Sequence, residues 1–133
     1  MGEMDARVGA PKLRRGRVIV IEDDQSMRDL VALHLRNNGY EVAVAEDAVE
    51  GGHLILRRAP DLILCDVEMP YLDGYEFVAA LKAHPTTRDI PVVFLTVRED
   101  VAEKATKLGA AAYLRKPLTV DRLLEVLGVL TPQ

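Results

Sequence analysis

Hydrophobic residues along the chain fall into two alternating kinds of segment. Five segments are short, apolar and mostly β-branched, which is typical of strands buried on both faces: RVIVI (17–21), EVAVA (41–45), DLILC (61–65), PVVFL (91–95) and AAYL (111–114). After each of them, apolar residues recur at a spacing of three and four, which predicts an amphipathic helix. The pattern therefore predicts a β–α unit that is repeated five times.

Residues that start and stop helices agree with this division. The segment NNG at 37–39 is expected to close the first helix, and Gly109 to end the fourth. Asp47 and Thr119 are good N-cap residues. Right-handed crossovers between parallel strands leave few topologies open. We therefore expect an α/β, flavodoxin-like, doubly wound parallel sheet of five strands in the order 2-1-3-4-5, with helices on both faces.

Length and composition predict one domain. The chain has 133 residues, 49% of them hydrophobic, which is enough to bury a core. The domain is expected to span residues 17–131. Residues 1–16 show no clear periodicity and carry Pro11 and a small basic cluster, so they are predicted to be a flexible N-terminal tail.

Charge and cysteine content exclude several classes of function. The net charge of −4 argues against a nucleic-acid-binding surface. No apolar run approaches the roughly 20 residues that a membrane span requires, and no charged-then-apolar leader precedes the first strand. The single cysteine, Cys65, cannot form an internal disulfide, which fits a reducing compartment. We therefore expect a cytoplasmic protein that binds neither membrane nor nucleic acid directly.

Carboxylates follow the predicted strands at the points where those strands end. EDD (22–24) follows the first strand and Asp66 follows the third. In the expected sheet these two ends meet where the strand order reverses, which is where ligands bind. Clustered carboxylates repel one another unless a cation lies among them. Lys116 offers one such cation, Mg²⁺ would be another because it prefers oxygen ligands, and Thr96 adds a hydroxyl.

Each of these features alone has an ordinary structural explanation. An acidic run after a strand often caps a helix, a single Asp often belongs to a turn, and a Lys-Pro pair often ends a strand. Their combination at the ends of four strands of one predicted sheet favours a site for phosphoryl transfer instead. A carboxylate can accept a phosphoryl group where that group is oriented and its charge is neutralised.

The segments VIVIEDDQSMR, DLILCDVEMPYLDGYEF, IPVVFLT and GAAAYLRKPL, with their spacing, resemble the receiver domain of two-component response regulators. The resemblance covers residues 17–130, nearly the whole chain beyond the tail. It implies that Asp66 is the phosphoacceptor. It also implies that Glu22 and Asp23 are the acidic pair that organises Mg²⁺, for which Mn²⁺ is a substitute. Asp24 is better treated as a neighbour and a helix cap than as a ligand.

The same matching assigns roles to four further residues. Thr96 and Lys116 would contact the phosphoryl oxygens, and the backbone carbonyl of Glu68 would be a further metal ligand. Tyr113 would be the aromatic switch residue. When the Thr96 hydroxyl swings toward the phosphoryl group, the Tyr113 ring is expected to turn from solvent toward the core. The surface of the fourth helix, fifth strand and fifth helix should then change.

Two departures from the family pattern carry further expectations. Val97 stands where Ala or Gly is common, so it is expected to be an access gate that obstructs water and small phosphodonors. Simple packing of Val97 against the fourth helix is the alternative. Ala111 and Ala112 replace acidic residues, which puts in doubt the ion pairs that join two copies of many family members.

The resemblance also implies partners and a limited chemistry. A sensor histidine kinase or a phosphotransfer protein would supply the phosphoryl group. A downstream effector protein or an output domain beyond this chain would receive the signal. The domain would be no enzyme in the usual sense, since it catalyses only its own phosphorylation and dephosphorylation. Two alternatives are a pseudo-receiver interaction module of the same fold, which would lack the acidic pair, the Asp or the Lys, and a haloacid-dehalogenase-type phosphohydrolase. The second family wants another Asp where this chain has Glu68.

Overall fold

The computed structural model of the protein describes residues 15–132, so the predicted tail, residues 1–16, lies outside the described residues except for its last two. These two residues, Arg15 and Gly16, lie beside the start of the second strand. The Arg15 amide donates to the carbonyl of Gly39 (2.9 Å), and the Glu41 amide donates to the carbonyl of Gly16 (2.9 Å). The chain is therefore hydrogen-bonded to the sheet before the first strand begins.

Strands and helices alternate throughout residues 15–132. The elements are β1 (Arg17–Ile21), α1 (Gln25–Asn37), β2 (Glu41–Ala45), α2 (Ala48–Arg57), β3 (Leu62–Asp66), α3 (Gly74–Lys82), β4 (Val92–Thr96), α4 (Val101–Leu108), β5 (Ala112–Arg115) and α5 (Val120–Leu130). All strand pairs are parallel, in the order β2-β1-β3-β4-β5. The predicted fold class and strand order are confirmed.

The core lies in two layers, one on each face of the sheet. One layer contains Ile21 and Phe94 and is covered by residues of α2, α3 and α4. The other contains Val20 and Leu95 and is covered by residues of α1 and α5. All five residues of β3 and all five of β4 are buried, as expected for strands that are covered on both faces. None of the described helices is long and apolar enough to cross a membrane.

The last three strands begin and end one residue later than their sequence pattern indicates. Observed strands at 62–66, 92–96 and 112–115 replace the predicted 61–65, 91–95 and 111–114. Asp61 lies just before β3; its amide donates to the carbonyl of Arg17 (2.8 Å), and its carboxylate accepts a hydrogen bond from the Arg17 amide (2.8 Å). Pro91 has no N–H to donate to a sheet. As a result Asp66 and Thr96 are the last residues of their strands and lie within the sheet, in register with Leu95 and Arg115 respectively.

Side-chain caps begin all but one of the helices in the described part of the chain. The capping side chains each accept a hydrogen bond from an amide of the first turn and are Asp24, Asp47, Asp73 and Thr119. The caps predicted for Asp24, Asp47 and Thr119 are thus confirmed, and so is the end of α4 at Gly109, whose φ is 75°. α4 differs because Asp100 occupies its N-cap position and makes no capping hydrogen bond.

Candidate functional site

The carboxyl edge of the sheet brings nearly all of the predicted site residues into one cleft. This cleft has a volume of about 340 Å³ and is lined by Glu22, Asp23, Asp24, Asp66, Glu68, Thr96, Val97 and Lys116. It lies where β1 and β3 end side by side, because Ile21 and Cys65 are paired in the sheet. Tyr113 is the one predicted residue that does not line it. We refer to this feature as the acidic cleft.

Three carboxylates of the acidic cleft are close enough to hold one metal ion. Glu22, Asp23 and Asp66 each offer an oxygen, and these oxygens lie within 4.8 Å of one another. Glu22 is only 1% exposed and Asp66 only 4%, whereas Asp23 is exposed. No second cluster of three acidic, His or Cys side chains with this spacing occurs in residues 15–132. Oxygen ligands of this kind suit a hard divalent cation.

Lys116 provides a fixed positive charge beside these carboxylates. Its Nζ lies 3.0 Å from Oε1 of Glu22 and 3.7 Å from Oδ1 of Asp66. Burial lowers the pKa of Lys116, but the hydrogen bond to Glu22 and the charge of Asp66 outweigh it, so the pKa is raised above its ordinary value. The ammonium is therefore charged at neutral pH. The Lys116 amide also donates to the carbonyl of Thr96 (2.9 Å), which joins the ends of β5 and β4.

The surroundings of Asp66 disfavour its ionised form. Burial, with added repulsion from Glu22, raises the pKa of Asp66 to about 8, although Lys116 and the amide of Glu68 oppose the rise. The Glu68 amide donates to Oδ1 of Asp66 at 3.3 Å. A divalent ion among these oxygens would favour the ionised carboxylate. The residues of the acidic cleft therefore fit a bound metal ion.

A glycine is required behind Asp66. A Cβ atom at Gly74 would collide with the carbonyl oxygen of Asp66 and with Cα of Val67. The Gly74 amide donates to the carbonyl of Val67 (2.8 Å), so the start of α3 lies directly against the end of β3. This close approach fixes the backbone that carries the Asp66 side chain.

Thr96, the last residue of β4, and Val97, which follows it, line one wall of the acidic cleft. Thr96 is 1% exposed, and its Oγ1 accepts a hydrogen bond from the Arg98 amide (3.0 Å). Val97 is 56% exposed and lines the acidic cleft. Val97 is thus not buried, and its role as an access gate stays a prediction.

Tyr113 lies on β5 outside the acidic cleft. It is 40% exposed and lines a separate groove with Ala112, Leu114, Arg115 and Arg122. Tyr113 is paired with Phe94 in the sheet, and Thr96 follows Phe94 by two residues. Side chains two residues apart on a strand share a face, so Thr96 and Tyr113 lie on the same face of the sheet.

One group of residues beside Thr96 was not predicted from the sequence. Tyr75, Arg98 and Asp100 form a connected cluster of hydrogen bonds and a cation–π contact. Asp100 has the sequence signature of an N-cap, which points to a local role. The contact between Asp100 and Tyr75 joins residues 25 positions apart and is visible only in the folded chain.

Together, the fold and the acidic cleft define a class of doubly wound α/β domains with a metal-capable acidic site at the switch point of the sheet. Residues 18–128 match the family model of the response regulator receiver domain, and the chain belongs to this family. Membership places it among the signalling proteins of phosphorelays and in no classical enzyme family. The resemblance seen in the sequence is confirmed, and nothing supports the phosphohydrolase alternative.

Relatives of known name agree with this assignment. The response regulator MprA of Mycobacterium sp. (strain KMS) is 40% identical over 110 residues, which cover 81% of this chain and 47% of the relative. MprA of Mycobacterium leprae (strain TN) is 38% identical over the same shares. The chain thus spans about half the length of the curated relatives it matches.

Solved structures agree as well. The chemotaxis protein CheY4 of Vibrio cholerae superposes with a TM-score of 0.81 at 30% identity, over 87% of this chain and 98% of that one. The receiver domain of the sensor histidine kinase PA1611 of Pseudomonas aeruginosa superposes with a TM-score of 0.79 at 26% identity, over 87% and 97% of the two chains. That structure holds a magnesium ion coordinated in its active site cleft.

Proposed function

We propose that this domain accepts a phosphoryl group on Asp66 and thereby switches a protein-interaction surface. The observation that carries the proposal is the position of Asp66, which lies 3.7 Å from the Lys116 ammonium and within one metal-capable cluster with Glu22 and Asp23. Such a carboxylate is both a nucleophile and a neighbour of the charges that phosphoryl transfer needs.

In the proposed reaction, an oxygen of Asp66 attacks the phosphorus of the donor. One P–O bond forms, and the bond from phosphorus to the donor's histidine nitrogen, or to the oxygen of a small acyl phosphate, breaks. Lys116 is held in place by Glu22 and donates to a phosphoryl oxygen, and the Thr96 hydroxyl donates to another. Because the transition state is loose, this positioning and charge neutralisation account for most of the catalysis.

The proposed metal is Mg²⁺, held by Glu22, Asp23, Asp66 and the backbone carbonyl of Glu68. When bound, it would neutralise charge on the phosphoryl oxygens. The cluster of oxygens within 4.8 Å supports this assignment, and so does the magnesium ion in the related PA1611 receiver domain. Mn²⁺ accepts similar oxygen ligands and should substitute for it.

The proposed response to phosphorylation lies along β4 and β5. The Thr96 hydroxyl turns toward the phosphoryl group, and Tyr113 turns toward the space on the same face of the sheet. The surface of α4, β5 and α5 then changes. The half-exposed ring of Tyr113 supports this proposal, because an inward turn would remove apolar ring surface from water.

The proposed donor is a sensor histidine kinase or a phosphotransfer protein. A downstream effector or an output domain receives the signal, which agrees with the greater length of the MprA relatives. A cytoplasmic location is part of the proposal and is supported by the buried, unpaired thiol of Cys65.

Labelling with acetyl phosphate tests the proposal. The protein should take up one phosphoryl group, and only with Mg²⁺ or Mn²⁺ present. Asp66→Asn should abolish labelling, and Asp23→Ala should abolish the response to metal. Asp89→Asn, a change of an exposed aspartate far from the cleft, is the matched control and should label normally. Undiminished labelling of Asp66→Asn would refute the assignment, and a parent protein that takes up no phosphoryl group would instead be a pseudo-receiver.

A further inference from the structure

Asp100 occupies the N-cap position of α4 and yet does not cap it. Both of its oxygens are engaged elsewhere. Oδ1 accepts hydrogen bonds from the Tyr75 hydroxyl (2.9 Å) and from Nε of Arg98 (3.1 Å), and Oδ2 accepts one from Nη2 of Arg98 (2.9 Å). Aspartate is favoured at N-caps because its carboxylate satisfies the free amides of the first turn. Here that carboxylate instead joins the loop after β4 to the start of α3.

The side chain of Arg98 is held on two sides. The Asp100 carboxylate binds its guanidinium in a bidentate manner, and the guanidinium carbon lies 5.4 Å from the centre of the Tyr75 ring. Tyr75 is itself fixed, since it is only 9% exposed and its ring packs edge-on against Phe94 with centroids 5.3 Å apart. Tyr75, Arg98 and Asp100, which we call the Arg98 cluster, therefore anchor the loop after β4 to the core.

The backbone of the same arginine holds Thr96. The Arg98 amide donates to Oγ1 of Thr96 at 3.0 Å. If the Thr96 side chain turns toward a phosphoryl group on Asp66, this amide loses its acceptor. Because the Arg98 side chain is anchored, its backbone cannot follow the hydroxyl, and a partly buried amide would be left without a partner.

We propose that the Arg98 cluster fixes the resting position of the Thr96 hydroxyl and opposes its turn toward the phosphoryl group. This inference rests on the proposed function. Arg98, Asp100 and Tyr75 are positioning residues, since each acts through Thr96 and none lines the acidic cleft. A ligand that favours the turned hydroxyl must overcome the cluster, so weakening the cluster must strengthen the binding of that ligand by the same factor.

Beryllium fluoride with MgCl₂ is a suitable probe, because it is a non-reacting analogue of a phosphoryl group on a carboxylate. Its binding to the full chain can be titrated by following the amide NMR signals of Thr96, Arg98 and Tyr113. Tyr75→Phe removes the hydroxyl that holds Asp100 and should bind the probe about fivefold more tightly than the parent protein. Arg98→Gln, which keeps the amide and loses the guanidinium, should act in the same direction.

Two comparisons separate positioning from a merely structural role. Tyr40→Phe is the matched control, since Tyr40 is 4% exposed and its hydroxyl lies 3.2 Å from Oγ1 of Thr131, away from the cleft. It should leave probe affinity unchanged. In a Thr96→Ala background, Tyr75→Phe should no longer change probe affinity, because the cluster acts through the Thr96 hydroxyl.

The outcomes distinguish this inference from the proposed function. If the parent protein binds the probe and Tyr75→Phe and Arg98→Gln bind it equally well, the cluster does not position Thr96 and the proposed function stands. An affinity gain that persists in Thr96→Ala also overturns the inference. If the parent protein with MgCl₂ does not bind the probe at all, the proposed function itself fails. Should Tyr75→Phe not fold, Asp100→Asn tests the same hydrogen bonds.

Discussion

The two sides of the acidic cleft are held in different ways. On one side, Glu22 follows β1 and Asp66 is the last residue of β3. Both strands have strand neighbours on both edges, and both side chains are almost wholly buried. On the other side, β4 leads into an exposed loop and the eight-residue helix α4, and β5 is an edge strand of four residues. Segments with few neighbours and exposed hydrogen bonds open locally more readily than central strands.

This difference agrees with the different roles that the proposed mechanism gives to the two sides of the acidic cleft. The carboxylate side must keep its oxygens in fixed positions for a metal and a phosphoryl group. The Thr96 side must respond by moving. α4 differs from the four capped helices because its N-cap aspartate makes no capping hydrogen bond and binds Arg98 and Tyr75 instead.

The first prediction concerns Lys116, which joins the two sides. Lys116→Ala leaves the buried carboxylate of Glu22 without its positively charged partner, and it should lower the free energy of unfolding by about 3 kcal/mol in the absence of metal. Added Mg²⁺ should recover part of this loss. Urea unfolding with and without Mg²⁺ measures both effects. The control is Lys107→Ala, which breaks the exposed pair with Glu103 (3.4 Å) and should change stability little. Equal losses in both variants would contradict the buried pair.

The second prediction concerns the carboxylate side of the acidic cleft alone. Gly74→Ala should lower the free energy of unfolding by about 1–3 kcal/mol, because the new Cβ meets the backbone of Asp66 and Val67. It should also weaken Mg²⁺ binding, since Asp66 must shift. Gly128→Ala is a matched control within α5, where a Cβ meets no atom within 4 Å. That variant should gain about 0.5–1 kcal/mol. A neutral Gly74→Ala would show that the carboxylate side is not rigid.

The third prediction is a pH dependence. The pKa of Asp66 is raised to about 8 in the folded protein, above the value of about 4 expected in the unfolded chain. Asp66 therefore adds stability below about pH 4 and loses that contribution as the pH rises toward 8. Without metal, the free energy of unfolding should fall over this window more in the parent protein than in Asp66→Asn. Mg²⁺ binds the ionised form and should reduce the fall. Denaturation in EDTA at a series of pH values tests this, and identical pH profiles of the two proteins would count against it.

The fourth prediction concerns the access of water and small phosphodonors to Asp66 past Val97. Val97→Ala should speed both the loss of phosphate from Asp66 and labelling by acetyl phosphate about five- to tenfold, because attack in line with the P–O bond needs open space. Mg²⁺ affinity should stay constant, since no ligand is altered. Glu68→Ala separates the steric effect of Val97 from the charge of Glu68, which borders the same cleft. Unchanged rates in Val97→Ala would show that Val97 does not obstruct access to Asp66.

The fifth prediction concerns the coupling between Thr96 and Tyr113. Thr96→Ala should lower stability by about 1 kcal/mol or less and still allow some phosphorylation of Asp66. The NMR response of Tyr113 to phosphorylation should disappear. Thr106→Ala, which removes an exposed hydroxyl on α4, should leave that response intact. A full Tyr113 response in Thr96→Ala would mean that the signal takes another route.

The fold and the membership of the acidic cleft could be predicted because local patterns determine them. Alternating β-branched and helical segments dictate a parallel sheet, and right-handed crossovers then bring the ends of β1 and β3 together. Caps such as Asp47 and Thr119 were readable because capping is local. Leu56 shows the limit of periodicity, since it has helical spacing and is 78% exposed.

Long-range pairings could not be read in the same way. The sequence suggested that Lys116 lies among the carboxylates, but only the folded chain shows that its nearer partner is Glu22 (3.0 Å) and not Asp66 (3.7 Å). Asp100 occupies the N-cap position of α4, but its carboxylate binds Arg98 and Tyr75 instead of capping the helix. Only the three-dimensional arrangement decides which of two favourable partners a charged side chain takes.

The ion pair between Glu22 and Lys116 also has a consequence for the order in which the domain is made. The two residues are 94 positions apart, so the ribosome has produced both acidic strands long before it adds the lysine. A chain that stops short of β5 carries the crowded carboxylates of Glu22 and Asp66 without the cation that balances them. Under the proposed mechanism, a nascent or truncated chain that ends before β5 lacks Lys116 and should therefore take up phosphate far less readily than the complete domain.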